Sequence, residues 1–319
     1  MSCNWTRRAF VALASASALL LAACGSGTIE SQLQPTRIVS FGDGLSDVGQ
    51  GGTRYTVNDG SVNIWTLQVA SSFAVSLTAQ SAGGTSYATG NARVVAKPDA
   101  AGGTATFTVK EQIDAFLAAG TLGSNDLIVV NAGTADVIAE MQQALKVSPT
   151  QSSAQALANV QQAGRDLGAQ VRRLVQAGGK HVVVVGTYHL GRSPWATAIG
   201  QTSLLTEASS KFNEEMLVSI VDLGANVLYV DAALLFNLMQ ASPSSYGLTN
   251  ATDVVCTSID PGNGIGIGTG QVNSAQCTTS TILTGAAYAG YMFADAVYLG
   301  PEAHRKFGEY AYSRIRDRW

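Results

Sequence analysis

Histidine is almost missing from this sequence, with three in 319 residues, and charged side chains make up only 13% of it. Each shortage excludes something. Three scattered histidines, at 181, 189 and 304, cannot supply a histidine-rich metal cluster, so neither a metal nor a cofactor is expected. A formal charge of −3 is not basic enough to argue for nucleic acid. Cysteine is also sparse, at four residues, and no histidine lies near Cys256 or Cys277 to complete a metal site with them. An apolar run long enough to span a bilayer is lacking too. The one candidate, Ala9 to Ala23, is shorter than the roughly 20 residues a spanning helix needs. What the chain does have is hydrophobic content, 46%, ample for a large core in one α/β domain.

The apolar run is better explained as a leader. Arg7 and Arg8 precede it, and Leu21-Ala22-Ala23-Cys24 follows as a lipobox, with cleavage before Cys24 and acylation of its thiol. Residues 1–23 are therefore read as a signal peptide and 24–35 as a lipidated tether ending at Pro35. The domain is expected over 36–319. Gly25 and Ser26, with no aspartate beside the cysteine, favour the outer membrane of the cell envelope. Thr6-Arg7-Arg8-Ala9-Phe10 resembles a twin-arginine export signal, and two arginines are as common in the general secretory route, so both routes stay open. Once Arg7 and Arg8 leave with the leader, 17 basic residues face 22 acidic ones, about −5 in formal charge. Export suits a disulfide between Cys256 and Cys277, which would close a Gly/Ser/Thr-rich stretch.

From residue 37 onward, strand and helix signals alternate. Short apolar strands are expected at 37–41, 126–131, 181–185 and 226–230. Helical spacing runs over 64–77, 154–176 and 204–221. A capping box, Thr108-Val109-Lys110-Glu111, opens a helix that Gly120 stops, and Pro301 opens a last one. Residues 257–280 show no apolar period and read as a loop. Near-continuous Val/Ile/Leu strands between helices imply a parallel sheet covered on both faces. The loops after Phe41, Asn131 and Val185 should then crowd one rim, at the carboxyl ends of the strands, where such sheets place ligands.

Those loops carry the motifs. Phe41-Gly42-Asp43-Gly44-Leu45-Ser46-Asp47 resembles the first block of the SGNH, or GDSL, esterases and lipases, F-G-D-S-x-S-D. Ile64-Trp65 and the helix after it look like the stretch that follows that block. Tyr87-Ala88-Thr89-Gly90-Asn91-Ala92-Arg93 resembles the second block, N-Y-A-x-G-G-A-R, and Gly133-Thr134-Ala135-Asp136 the third, G-x-N-D. Phe293-Ala294-Asp295-Ala296-Val297-Tyr298, with Pro301 and His304, resembles the last, F-x-D-x-x-H-P-T-x-x-x-H. The resemblance spans nearly all of the mature chain. It implies a three-layer α/β/α sandwich with a mostly parallel central sheet, flavodoxin-like in architecture. It also implies an ester hydrolase whose serine attacks a carbonyl while histidine and aspartate serve it as base and orienter.

This chain departs at the positions that do the work. The nucleophile position is Gly44, the oxyanion asparagine is Ala135 and the catalytic histidine is Tyr298. Either Gly90 or Asn91 would supply an oxyanion amide, and Asp295 survives with no histidine to orient. Loss of one triad member alone leaves only ~10³–10⁴ over water. The expectation is an anchored pseudoenzyme, attached to the membrane through Cys24, that binds an acyl, lipid or glycan ligand or an envelope protein in the former cleft. The alternative is an active ester hydrolase rerouted through Ser46 with His189, or through water activated by Asp43 or Asp295. Against that, a serine at 46 more often stabilises the turn itself. His304 reads as a helix-face residue, Glu214 and Glu215 as a solvated face, and His181 as structural. Tyr87, Tyr188, Trp195 and Tyr298 are candidates to line the old pocket, with Tyr188 and Trp195 equally suited to the core.

Overall fold

In the computed structural model, which describes residues 33–319, four parallel strands lie side by side in chain order. They are β1 (Arg37–Gly42), β2 (Asp126–Asn131), β3 (His181–Val185) and β4 (Val227–Tyr229). The leader, Cys24 and most of the expected tether lie outside the described residues. Every residue of β2 is buried, and all of β3 except His181. This is why these strands read as unbroken apolar runs, because helices cover both faces of the sheet. His181, at the head of β3, is half-buried with its ring edge-on to Trp319.

Eight helices surround the sheet among the described residues: α1 (Trp65–Ser72), α2 (Val109–Ala119), α3 (Thr134–Leu145), α4 (Ser153–Gln176), α5 (Pro194–Ala198), α6 (Thr202–Ser219), α7 (Ala232–Ala241) and α8 (Pro301–Arg318). The capping box at Thr108 is formed in both directions, and Gly120 ends α2 as expected. The α1 helix is shorter than its apolar spacing suggested. It stops at Phe73, because Ala74 turns into the left-handed region at φ +56°. α4 lies along α6, and Gly164 allows the close approach: a Cβ there would sit 2.3 Å from the Phe212 carbonyl oxygen.

Several elements carry no clean period in the sequence. The α3 helix begins within the third block itself, α5 follows a short 3-10 turn at Leu190–Arg192, and α7 begins soon after β4 ends. Past α7, β5 (Asn250–Val254) pairs in parallel with β8 (Tyr291–Phe293). Within the stretch read as a loop, β6 (Ile259–Asp260) and β7 (Gln271–Val272) form a short antiparallel ladder. The Cys256–Cys277 disulfide closes this stretch across 21 residues. By chain entropy such a link is worth about 3 kcal/mol.

Candidate active site

The expected rim is formed. Gly42 ends β1 at φ +151°, and a Cβ there would strike the Asn131 carbonyl oxygen at 2.0 Å, so only glycine lets β1 leave this close to β2. Its amide and carbonyl are both held by the Gln112 side chain of α2, each at 2.9 Å. The Asp43 amide then donates to Asn131 O. Asn131 Nδ2 donates to Gly186 O at 3.0 Å and to Val185 O at 3.3 Å. Hydrogen bonds thus tie the loops after β1, β2 and β3 to one another.

Ser46 serves that stitching. It is fully buried, its hydroxyl donates to Asn131 Oδ1 at 2.9 Å, and it accepts from Trp65 Nε1 at 2.9 Å. His189 is engaged elsewhere: Asn237 Nδ2 donates to its Nδ1 at 3.0 Å, and its Nε2 lies 3.4 Å from Ser210 Oγ. The Ser46–His189 pair expected as a fallback is therefore not formed. His189 does meet a serine, but the serine is Ser210, in the middle of α6. Sequence reading passed over it because a hydroxyl on an amphipathic helix carries no motif.

The family positions do come together, around a filled centre. A Cβ built on Gly44 would lie 2.8 Å from both Cζ and Oη of Tyr298, well inside contact distance. The Tyr298 ring thus occupies the space a side chain at 44 would need. It is fully buried, tilted against Tyr55 with ring centroids 4.8 Å apart, and its hydroxyl has no hydrogen-bond partner. Burial, with Asp43, Tyr55 and Asp295 nearby, pushes that hydroxyl well above the usual tyrosine pKa. The residues behind the ring are packed as closely. Gly90 faces Tyr55, with a built Cβ 2.0 Å from its hydroxyl oxygen. The Gly90 amide, one of the two oxyanion candidates, donates to Asp47 Oδ2 at 2.8 Å. Asn91 adopts φ +62° and donates its side-chain amide to Gly264 O. Ala135 is buried in the first turn of α3.

Both carboxyl groups at this centre are taken out of water. Asp295 Oδ1 accepts from the amides of Val297 and Tyr298, at 2.8 and 2.7 Å, and Oδ2 from Ser274 N at 3.0 Å. It therefore shapes the backbone of its own turn, and these hydrogen bonds go to amides and not to the ring at 298. Burial raises its pKa, against the pull of those amides. Asp43 is also fully buried. Its Oδ1 accepts from Leu45 N at 3.1 Å, while Oδ2 closes no hydrogen bond. The amides of Thr134 and Ala135, at the head of α3, favour its charged form, yet burial outweighs them and the pKa is pushed up to about 7.

Other expectations need correction. His304 is on a helix face, as expected, and that face is turned inward. It is fully buried, its Nδ1 accepts from the Trp65 amide at 3.4 Å, and burial lowers its pKa to about 3, so it is neutral. Tyr188 and Trp195 belong to the core, as does Tyr298, and the Tyr188 hydroxyl donates to Val297 O at 2.7 Å. Of those four aromatics, Tyr87 does line a cavity, one of about 280 Å³ shared with Phe107 and Gln112. Glu215 is not merely solvated but pairs with Arg165 at 3.0 Å. One buried feature escaped the sequence reading. Arg93 of the second block pairs with Asp136 of the third at 3.3 Å and with Glu140, which fastens those blocks to each other. Burial raises Asp136 to about 6 in spite of Arg93. Among the described residues, no group of three or more His, Cys, Asp or Glu is placed to hold a metal ion.

A parallel sheet, helices on both faces and four family blocks meeting at one rim define the class. The model of the GDSL-like lipase/acylhydrolase family matches residues 38–311, and the chain belongs to that family. A solved structure from Lactobacillus plantarum is similar at 12% identity over 90% of this chain and 100% of its own, with a TM-score of 0.46. Est24, a carbohydrate acetylesterase from Sinorhizobium meliloti, is similar at 13% identity, covering 89% of this chain and 99% of its own, with a TM-score of 0.45. The aryl esterase of M. smegmatis is 14% identical, covering 89% of this chain and 100% of its own, with a TM-score of 0.43. An uncharacterized protein from the trpE-trpG intergenic region of Pseudomonas putida is 28% identical over 95 residues. That match spans 30% of this chain and 16% of the relative.

Proposed function

We propose that this chain is an envelope lipoprotein of the GDSL family whose family site does not hydrolyse esters and serves for binding. The observation that carries this reading is the Tyr298 ring standing 2.8 Å from the place of a Cβ on Gly44. Absence of a nucleophile alone would leave an open cleft. Here an aromatic ring fills the gap, and its unpartnered hydroxyl offers no base. Loss of an oxyanion donor adds roughly 10²–10³ to the deficit. A filled centre also disfavours an acyl chain reaching residue 44. An envelope protein or a glycan at the rim surface fits better than a lipid tail within it.

The test is a short-chain ester assay on the detergent-solubilised full chain, with a fluorophosphonate probe and peptide mapping alongside. The triple variant G44S/A135N/Y298H should gain an adduct at position 44 that the natural chain cannot form. An adduct on Ser46 in the natural chain, with turnover lost in Ser46→Ala, would overturn the reading.

A further inference from the structure

We propose that Ser210, His189 and Asn237 form a second serine-nucleophile site, at the carboxyl side of β3 and β4, that accepts small neutral or cationic acyl esters. Four observations meet there. First, the hydroxyls of Thr206, Ser209 and Ser219 on α6 bond back to the carbonyl four residues earlier, the usual habit of a mid-helix hydroxyl. Ser210 instead meets His189 Nε2 at 3.4 Å, within the looser range of an unliganded nucleophile–base pair. Second, Asn237 holds the opposite ring nitrogen, at 3.0 Å, and its own Oδ1 is buried without a partner. Turning that amide over leaves its shape unchanged and sets Oδ1 against an Nδ1–H. Nε2 is then the acceptor that a serine hydroxyl requires.

Third, the group is reachable. Ser210, His189 and Asn237 are all half-buried and line a cavity of about 360 Å³, and a second cavity of about 660 Å³ also reaches His189 and Asn237. Fourth, the walls are selective. Leu217 and Leu234 offer apolar surface for a short acyl group, while Glu214 and Asp231 repel an anionic ester. Ala233, in the first turn of α7 where leading amides have no intrahelical partner, lines the same cavity and is the source of N–H donors we assign to the oxyanion.

The step balances without a co-reactant other than water. Ser210 Oγ bonds to the ester carbonyl carbon as its proton passes to His189 Nε2. The C–O bond to the leaving alcohol breaks, and that oxygen takes the proton from Nε2. Water, activated by the same nitrogen, then releases the acid and restores Ser210. Ser210 and His189 are the catalytic residues, and Asn237 is a positioning residue.

The experiment uses the full-length protein in detergent, labelled with a fluorophosphonate and mapped by peptide. The expected adduct is on Ser210. Ser210→Ala should abolish it, and His189→Gln should slow its formation by about 10²-fold, the usual contribution of a general base. Asn237→Ala should slow it, and Asn237→Asp, which can only accept, should restore the rate; melting temperatures of all variants establish that they are folded. Absence of an adduct on Ser210, or labelling indifferent to His189→Gln, overturns the proposal. That outcome leaves the reading of the family site untouched, whereas an adduct on Ser46 overturns that reading and not this one.

Discussion

At the scale of the residue, Asp43 shows how burial competes with local help. The turn gives it one amide and the head of α3 two more favourable dipoles, yet its pKa stands at about 7. The folded state therefore holds a proton that the unfolded chain, with an aspartate pKa of about 3.9, has released. The contribution of Asp43 is most favourable at low pH and is lost as pH rises through about 7. Asp43→Asn stays neutral throughout and keeps the acceptor for Leu45. In denaturant titrations it should gain about 1–3 kcal/mol on the natural protein between pH 4.5 and pH 8. A difference that does not change with pH would mean Asp43 is ionised across the range. His304, neutral with a pKa of about 3, has the opposite sign, losing stability as pH falls below about 6.5. It is present in both proteins and cancels from the comparison.

At the scale of the element, Gly44 and Tyr298 are one unit split between two segments, the turn after β1 and the turn before α8. A side chain at 44 has no space while the ring is in place, so Gly44→Ser should destabilise by about 1–3 kcal/mol through overpacking. In a double-mutant cycle with Tyr298→His, the smaller ring should recover much of that loss, with a coupling of about 1 kcal/mol or more. Additive effects would show that the ring does not occupy the serine's place. The same scale explains what could be read in advance. Strand runs, the Thr108 capping box and the proline opening α8 are local patterns, and each was legible. The α3 and α7 helices were not, since each follows a strand end with few residues of turn. α7 is also mostly apolar, which blurs its period.

At the scale of the whole molecule, the chain enters and ends at the same side. Leu33 N donates to Trp319 O at 3.4 Å, and Trp319 packs on His181 at the head of β3. That is the amino end of the parallel strands, opposite the rim that carries Gly44, Tyr298 and the family blocks. Under the lipoprotein proposal, membrane association rests on Cys24. Cys24→Ser should move the protein from the membrane pellet to the soluble fraction after cell lysis, and continued pelleting would remove the lipid anchor from the account. No helix among the described residues is long and apolar enough to cross a membrane.

The sequence by itself determined the parallel α/β architecture, the Cys256–Cys277 closure and the three loops that share a rim. Those follow from composition, spacing and the periods of strand and helix, which neighbouring residues carry along the chain. Its resemblance to the family is what puts Gly44, Ala135 and Tyr298 at the positions expected to carry the working groups. Tertiary structure alone decided that Tyr298 fills the space beside Gly44, that Ser46 and His304 are buried, and that His189 meets Ser210 in place of Ser46. Each of these depends on which side chains from distant segments reach one point after packing, and close packing allows only one occupant there.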